Sequence, residues 1–212
     1  MIHCERPECP DWLASHWVDW GEEYSRKLSE NRTYRFAWRR YEGQKVSHRL
    51  LPRLREMTAG HCAYCDWFPT DVGTDPTIDH FRPKAKFPKE VYHWPNLYLC
   101  CRTCQDKDDK DFSEDLLRPD APDYQFERYF VYNYRDGSLS PNPAASEYDQ
   151  ARALRTIRHL RLNKGARCTS RKRELGLFRR LAPEDQVEFL GERPYRYLLS
   201  AELHDGPPVD TA

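Results

Sequence analysis

The stretch "NLYLCCRTC", Asn96 to Cys104, ends in a C-x-x-C pair, and a matching pair, "CAYC", stands upstream at Cys62 to Cys65. Two such pairs can place four thiolates in the tetrahedral arrangement that structural zinc prefers. The alternative is four buried free thiols, because cysteine also packs as a small apolar residue. The paired spacing favours zinc. It predicts a structural Zn²⁺ bound by Cys62, Cys65, Cys101 and Cys104.

The chain contains eight cysteines, and its compartment decides how they are interpreted. The N-terminus "MIHCERPECPDW" lacks the apolar segment of a secretory signal, and no apolar run approaches membrane-spanning length. We therefore expect a cytoplasmic protein with no membrane partner, in which disulfides are disfavoured. Cys100 offers an alternative C-x-x-x-C register with Cys104, but we expect it in the core. Cys4, Cys9 and Cys168 are expected to be free thiols, with a second metal as the alternative for the first two.

The segment between the two pairs is longer than in a simple zinc ribbon, and it contains "TIDHFRPKAKF", Thr77 to Phe87. The pattern predicts a short strand that ends in Asp79 and His80 and is followed by basic residues. A zinc ion that joins the two ends of this insert would hold it as a rigid unit. Such rigidity suits a site whose side chains must be preorganised.

Charge is distributed unevenly along the chain. The 212 residues have a formal net charge of zero, so the total does not indicate a nucleic-acid partner. Residues 151–180 nevertheless contain eleven Arg or Lys and one acid, Glu174, whereas residues 106–127 are rich in carboxylates. This segregation predicts local fields that the neutral total conceals.

The pattern of apolar residues predicts an α+β protein, mainly helical, in three parts. We expect an all-helical section over residues 1–59, with a helix that begins near Ser47 and has Pro52 in or near its first turn. A zinc-bound core would cover residues 60–125, and residues 126–212 would form a hairpin and a group of basic helices. The hairpin is predicted around Asp136-Gly137. The helices expected in this last part are 146–163 with a Ser146 N-cap, about 170–181, and a short one after Pro183.

The ordered set of motifs resembles that of a known family. A strand ending in Asp-His, then "WPNLYLCCRTC" and later "TIRHLRLN", resembles the HNH endonucleases with their ββα-metal fold. The fuller string is similar to the HNH nucleases found with Septu-type and retron-associated phage-defence systems, over roughly residues 60–173. The resemblance implies DNA as the substrate, Mg²⁺ or Mn²⁺ as the catalytic metal, and an ATPase partner in a defence complex.

The resemblance also implies roles for individual residues. His80 would be the general base that activates water, because an imidazole titrates near neutral pH. Asp79 would be a ligand of the catalytic metal, and Asn96 would tie the loop back and keep His80 oriented. Phosphate contacts would come from Arg82, Lys84 and Lys86, with an ordinary solvated charge as the alternative for Lys86.

The sequence departs from the family at the second ligand of the catalytic metal. The family usually has Asn or His directly after the last cysteine and a Lys three residues further on, where this chain has Gln105 and Asp108. Gln105 would then be the second ligand, through a longer side chain. The alternatives are Asp106, Asp108 or Asp109, or a metal held by Asp79, waters and substrate phosphates alone. A weakly held metal would make activity depend on high Mg²⁺, on Mn²⁺, or on a partner that completes the site.

Arginine recurs at every third position of the predicted helix after Ser146: Arg152, Arg155, Arg158 and Arg161. A solvated helix face, contact with DNA phosphates, and docking to an acidic surface of a partner each explain these charges. If DNA is the partner, we expect Arg155 and Arg158 to contact it.

The predicted function is metal-dependent cleavage of DNA by a water that His80 activates, with a 5′-phosphate and a 3′-hydroxyl as products and little base preference. The protein would be the nuclease subunit of an anti-phage defence system. Two other classes stay open. One is a zinc-stabilised nucleic-acid binder that has lost catalysis, for which Gln105 is the best argument. The other is an assembly subunit in which the Asp-His pair is incidental.

Overall fold

The computed structural model describes residues 1–68, 77–107 and 111–205, and within these ranges far more residues lie in helices than in strands. The expected mixture of helices and short antiparallel strands is confirmed. The helices are α1 (Asp11–Ala14), α2 (Trp17–Glu30), α3 (Val46–Thr58), α4 (Arg102–Gln105), α5 (Phe126–Tyr129), α6 (Glu147–His159), α7 (Gly165–Phe178), α8 (Pro183–Phe189) and α9 (Arg196–Asp205). The strands are β1 (Arg40–Tyr41), β2 (Gln44–Lys45), β3 (Thr77–His80), β4 (Leu97–Cys100), β5 (Phe130–Tyr132) and β6 (Leu139–Pro141).

The strand pair that carries the predicted site is β3 with β4, which run antiparallel. Asp79 lies opposite Tyr98, and His80 lies opposite Leu97. All four residues of β4 are buried, and α3 packs against this strand. Helix α4 begins one residue after Cys101, so the order along the chain is strand, strand, helix.

One cluster of buried apolar side chains extends from Met1 to Leu199 and includes residues of all three predicted parts. Aromatic side chains fill much of it, and the hydroxyl of Tyr124 donates to the Met1 carbonyl at 3.1 Å. Among the described helices, none has both the length and the apolar character needed to cross a membrane.

The N-terminal section is not wholly helical, which corrects the prediction for residues 1–59. Strands β1 and β2 form a two-residue hairpin in which Glu42 and Gly43 have φ of 45° and 78°. Two consecutive residues with positive φ make a tight hairpin turn and exclude a helix at this point. Tyr41 stacks on Trp12, with ring centroids 5.5 Å apart, so the hairpin packs on the aromatic side chains of the first helices.

The helix predicted near Ser47 is confirmed as α3, which begins at Val46. Pro52 lies in its interior and not in its first turn. Because proline has no N–H, the carbonyl of His48 lacks its usual donor four residues later.

The C-terminal part contains the predicted hairpin, β5 with β6, and the predicted helices α6, α7 and α8. Helix α6 begins as expected, because the Ser146 hydroxyl accepts a hydrogen bond from Asp149 N at 3.1 Å. It ends at His159, earlier than predicted, since Arg161 adopts a left-handed φ of 52°. Helix α7 then begins at Gly165, which is also earlier than predicted.

Helix α2 supports the loop between β3 and β4. It packs against the 3₁₀ turn Pro88–Glu90 of this loop, and Gly21 is the point of closest approach. A Cβ atom at Gly21 would overlap the backbone carbonyl of Lys89, which cannot move aside as the end of a side chain can. The absence of a side chain at Gly21 therefore sets how closely the loop packs.

We expect Gly21→Ala to destabilise the protein by about 2 kcal/mol or more, because overlap with backbone outweighs the helix propensity that alanine adds. The matched control is Gly176→Ala in α7, where an added Cβ meets nothing within 4 Å. The control should be neutral or gain up to about 1 kcal/mol. Urea unfolding followed by circular dichroism measures both changes, and equal unfolding midpoints would contradict the packing of α2 on the loop.

Candidate functional site

His80 ends strand β3 and is only 4% exposed. Its Nε2 atom donates a hydrogen bond to the Val91 carbonyl at 2.9 Å, so the ring proton is on Nε2 and Nδ1 carries the lone pair. The ring stacks on Trp38, with centroids 5.5 Å apart, and makes a T-shaped contact with Phe36 at 5.2 Å. These contacts fix the imidazole in both orientation and tautomer.

Burial and the nearby ammonium groups of Lys84 and Lys107 lower the pKa of His80 well below the usual histidine value. Burial disfavours the charged imidazolium, and the ammonium group of Lys84 lowers the pKa further. Lys84 Nζ lies 3.5 Å from His80 Nδ1, the atom that the Val91 hydrogen bond leaves as an acceptor. A neutral imidazole with an unprotonated nitrogen is what a general base requires.

Asp79 precedes His80 and is also buried. The hydroxyl of Tyr64 donates to its carboxylate at 2.8 Å, and Lys107 forms an ion pair with the same oxygen. The Lys107 side chain is itself buried, and its ammonium group also donates to the His80 carbonyl at 2.9 Å. The carboxylate of Asp79 therefore has a cation from within the protein as its partner.

Lys107 is a site residue that sequence reasoning missed. The family pattern directs attention to position 108, where this chain has an aspartate. Helix α4 ends at Gln105, and Lys107 reaches back to the end of β3. The sequence does show a lysine shortly after the last cysteine. The direction of its side chain, however, depends on the residue at which α4 ends.

Asn96 closes the loop between β3 and β4. Its Oδ1 accepts a hydrogen bond from Arg82 N at 2.7 Å, and its Nδ2 donates to the carbonyls of Glu90 at 3.0 Å and Arg82 at 3.3 Å. Glu90 directly precedes Val91, whose carbonyl accepts from His80. Asn96 is thus a positioning residue, because it fixes the stretch of backbone that orients the imidazole.

The cysteines predicted to bind zinc are Cys62, Cys65, Cys101 and Cys104. Their four Sγ atoms lie within 4.8 Å of one another, and such a set can hold a metal ion such as zinc. Cys100 is outside this set: it is fully buried, and its Sγ lies 3.3 Å from the Thr77 hydroxyl. Of the two registers left open by the sequence, the structure therefore has the one with Cys101.

Arg167 of α7 fits a metal–thiolate centre at this place. It is buried, and its Nη2 atom donates to Cys104 Sγ at 3.0 Å and lies 3.8 Å from Cys101 Sγ. Burial alone would lower the pKa of Arg167, but the surrounding thiolates raise it. Four thiolates around Zn²⁺ keep a net negative charge, and a buried guanidinium offsets part of it.

The cysteine cluster also joins distant parts of the chain. Ala63 N donates to the Leu99 carbonyl at 2.9 Å, which holds the first cysteine pair against β4. Asp66, next to Cys65, is buried and accepts from Arg196 through the backbone N–H at 2.6 Å and the guanidinium at 2.7 Å. Helix α9 is thus anchored at the cluster.

The basic residues of the β3–β4 loop differ in their surroundings. Arg82 forms ion pairs with Glu90 at 2.8 Å and with Glu114 at 3.0 Å, so its guanidinium has partners within the protein. Lys84 lies beside the candidate base, and Lys86 is exposed. Phosphate contact by these three residues stays a prediction.

Arginines in α6 and just after it contact the acidic segment of the chain. Arg155 forms an ion pair with Asp115, and Arg161 pairs with Asp106 at 2.8 Å. Arg158 and Arg155 line a cavity of about 450 Å³. The acidic and basic segments therefore partly neutralise each other within the protein, and DNA contact by Arg155 and Arg158 stays a prediction.

Gln105, the predicted second ligand of a catalytic metal, is exposed. Its Nε2 donates to the Ile78 carbonyl at 3.5 Å, a long hydrogen bond, and its side chain lines a cavity beside β3. Asp106 is engaged in the ion pair described above, and Asp108 and Asp109 lie outside the described residues. The identity of the second ligand stays a prediction.

Fold and site together define a mainly helical protein in which an antiparallel strand pair, a four-cysteine cluster and a buried Asp-His pair meet. No model of a known protein family matches the chain. A stretch of 107 residues, 50% of the chain, is 26% identical to the Septu protein PtuB of Bacillus thuringiensis. The chain covers 37% of the length of that relative, so the likeness is distant and partial. It supports a link to Septu-type systems.

We expect the purified protein to contain zinc, and Arg167→Leu to weaken zinc binding about tenfold or more, because the thiolates lose a buried counter-charge. Arg173→Leu, at an exposed position of the same helix, is the matched control. Competition with a colorimetric zinc chelator measures both affinities. Equal affinities in the two variants would show that Arg167 does not support the centre.

Proposed function

We propose that this protein is a metal-dependent HNH-type endonuclease that hydrolyses DNA, and that it is the nuclease subunit of a Septu-type anti-phage defence system. The observation that carries the proposal is the state of His80: its Nε2 donates to the Val91 carbonyl, and its Nδ1 is left as the acceptor, 3.5 Å from Lys84 Nζ. The order β3, β4, α4 around the cysteine cluster supports a ββα-metal core.

In the proposed reaction, His80 Nδ1 takes a proton from the water molecule that attacks the scissile phosphate. The bond from phosphorus to the 3′ oxygen breaks, and protonation of that oxygen gives a 3′-hydroxyl and a 5′-phosphate. Because Nε2 donates to the Val91 carbonyl, Nδ1 carries the lone pair that accepts the proton. Asn96 contributes by holding the backbone that orients the ring.

Asp79 offers a carboxylate oxygen, the hard donor that Mg²⁺ and Mn²⁺ prefer. A bound metal would offset the negative charge that develops on the phosphate. Further ligands would come from Gln105, from water or from the substrate phosphates, because Mg²⁺ commonly retains several waters. The structural Zn²⁺ would be held separately by the four cysteines.

Contacts with the DNA backbone would come from the basic loop and from α6. The residues concerned are Arg82, Lys84, Lys86, Arg155 and Arg158. Arg82 and Arg155 would have to exchange a carboxylate partner for a phosphate. Because phosphate contacts carry no sequence information directly, we expect weak sequence specificity.

The proposed role in defence rests on the likeness to the Septu protein PtuB. On this proposal the protein acts in a multi-subunit complex with an ATPase partner, which restrains the nuclease or delivers it to DNA. The ion pairs of Arg155 and Arg161 fit such control, because they reduce the positive field that would draw the free subunit to any DNA.

The ion pair of Lys107 with Asp79 favours a second candidate function. The ammonium group of Lys107 already pairs with the Asp79 carboxylate, and Gln105 replaces the usual second ligand. On this alternative the protein is a catalytically degenerate, zinc-stabilised nucleic-acid-binding or assembly subunit of such a complex. Binding of a divalent metal at Asp79 separates the two functions.

We expect the purified protein to nick supercoiled plasmid in Mg²⁺ or Mn²⁺. His80→Ala should reduce the rate at least about 100-fold, because a positioned general base contributes roughly 10²–10⁴. His204→Ala, which changes an exposed histidine of α9, is the control and should retain activity, with zinc content equal in all three proteins. Equal nicking by the two variants would refute His80 as the base. If the wild type fails to nick both alone and with the ATPase partner, the binding subunit is favoured.

The variant Lys107→Met tests directly whether Asp79 binds a divalent metal ion. The variant leaves the buried Asp79 carboxylate without a counter-charge, so we expect a loss of about 3 kcal/mol in metal-free buffer. Mn²⁺ should restore much of this loss and should bind the variant more tightly than the wild type. Calorimetric unfolding with and without Mn²⁺ measures the effect, and Lys107→Met combined with Asp79→Asn is the control. If Mn²⁺ stabilises Lys107→Met no more than the double variant, Asp79 is not a metal ligand.

A further inference from the structure

A cavity of about 440 Å³ lies between the start of α3, strand β3 and the end of α4. Its walls include Trp38, Ser47, His48, Leu51, Ile78 and Gln105. Within the described part of the chain, the side chains of Ser47 and His48 make no hydrogen bond, and that of Gln105 makes only the 3.5 Å bond to the Ile78 carbonyl. The polar groups of the cavity are thus largely uncommitted.

The chemistry of these walls fits a nucleobase. Trp38 supplies a flat aromatic ring on which a base can stack. Ser47, His48 and Gln105 supply hydroxyl, imidazole and amide groups that can pair with the donors and acceptors of a base edge. The remaining walls are mainly apolar, and the volume lies in the range of small-molecule sites.

The cavity adjoins the candidate general base. Trp38, which lines the cavity, also stacks on His80 at a centroid distance of 5.5 Å. Ile78 lies two residues before His80 on the same strand, and Gln105 donates to its carbonyl. A base held against Trp38 would therefore belong to the strand whose phosphate lies at His80.

We propose that this cavity binds one unstacked nucleobase of the strand that is cut, on a nucleotide next to the scissile phosphate. This inference rests on the proposed nuclease function and adds a substrate requirement to it. The base must leave its stack, which costs least where the strand is already unpaired. Single-stranded or gapped DNA is therefore a better substrate than an intact duplex. Gln105 would then hydrogen-bond to the edge of the bound base, a role that the family pattern does not include.

The test uses the full-length protein and a single-stranded oligonucleotide. The position at which the oligonucleotide is cut is mapped first. An abasic nucleotide then replaces each nucleotide around the cut in turn. This first measurement needs no protein variant. We expect one position, next to the cut, at which loss of the base slows cleavage about tenfold, as for loss of one stacked base. Ser47→Tyr, which places a ring in the cavity, should slow cleavage of the intact strand by a similar factor. Ser29→Tyr adds the same ring at an exposed position of α2 and should have no effect.

Binding is measured separately from cleavage, in buffer without added Mg²⁺ or Mn²⁺. 2-Aminopurine replaces the base at the sensitive position or, if nothing is cut, at each position in turn. Quenching by the wild type and by Ser29→Tyr, but not by Ser47→Tyr, supports the base site even if no protein cleaves DNA. Cleavage that is equal for every abasic strand and for Ser47→Tyr would overturn the base site and leave the nuclease function intact. Absence of both cleavage and quenching, with the ATPase partner added as well as without it, would overturn both the base site and the nuclease function.

Discussion

The grouping of the two cysteine pairs is the constraint on which the rest of the structure depends. Cys62 and Cys65 are far in sequence from Cys101 and Cys104, and bringing their Sγ atoms within 4.8 Å closes a long loop whose entropy must be offset. A metal bound to all four would offset it, since its binding energy adds to folding. Once the loop is closed, β3 and β4 pair, and the Asp-His pair stands at the end of β3 next to α4. Helix α9 is held at the same cluster through Asp66, so the C-terminal end of the described chain also depends on it.

Next to the cysteine cluster and the β3–β4 pair, the protein buries polar groups that are uncommon in a protein core. Asp79, Lys107, His80 and Asn96 all lie in the interior, and each polar atom described above has a partner. Networks of this kind contribute little net stability compared with apolar side chains of the same volume, because desolvation offsets the attraction of the charges. They do hold their members in one geometry. The retention of such a network beside an open cavity is easier to explain by chemistry at His80 than by stability.

Much of this could be predicted from the sequence, because the informative signals are local. The spacing of the cysteines and the Ser146 N-cap each act within a few residues, and the structure has them as predicted. The β1–β2 hairpin was not predicted, because its only local signal is the Glu42-Gly43 pair and the apolar residues around this pair have helical spacing. Lys107 and Arg167 were missed for a different reason. Each reaches a group distant in sequence, and no local pattern distinguishes a buried lysine or arginine from the solvated ones around it.

The distinction between charges that are paired within the protein and charges that are solvated also changes how the neutral net charge is interpreted. The acidic segment after the last cysteine pairs with Arg155 of α6 and with Arg161, which follows that helix. Arg82 pairs with Glu90 and Glu114. These pairs reduce the positive charge available for general attraction to a polyanion. On the proposed function, affinity for DNA would therefore depend more on contacts near the site and on a partner that presents the strand. Stacking of a base is one such contact, since it does not require net charge. A subunit built in this way would bind DNA poorly on its own and would act where the strand is already open or is delivered to it.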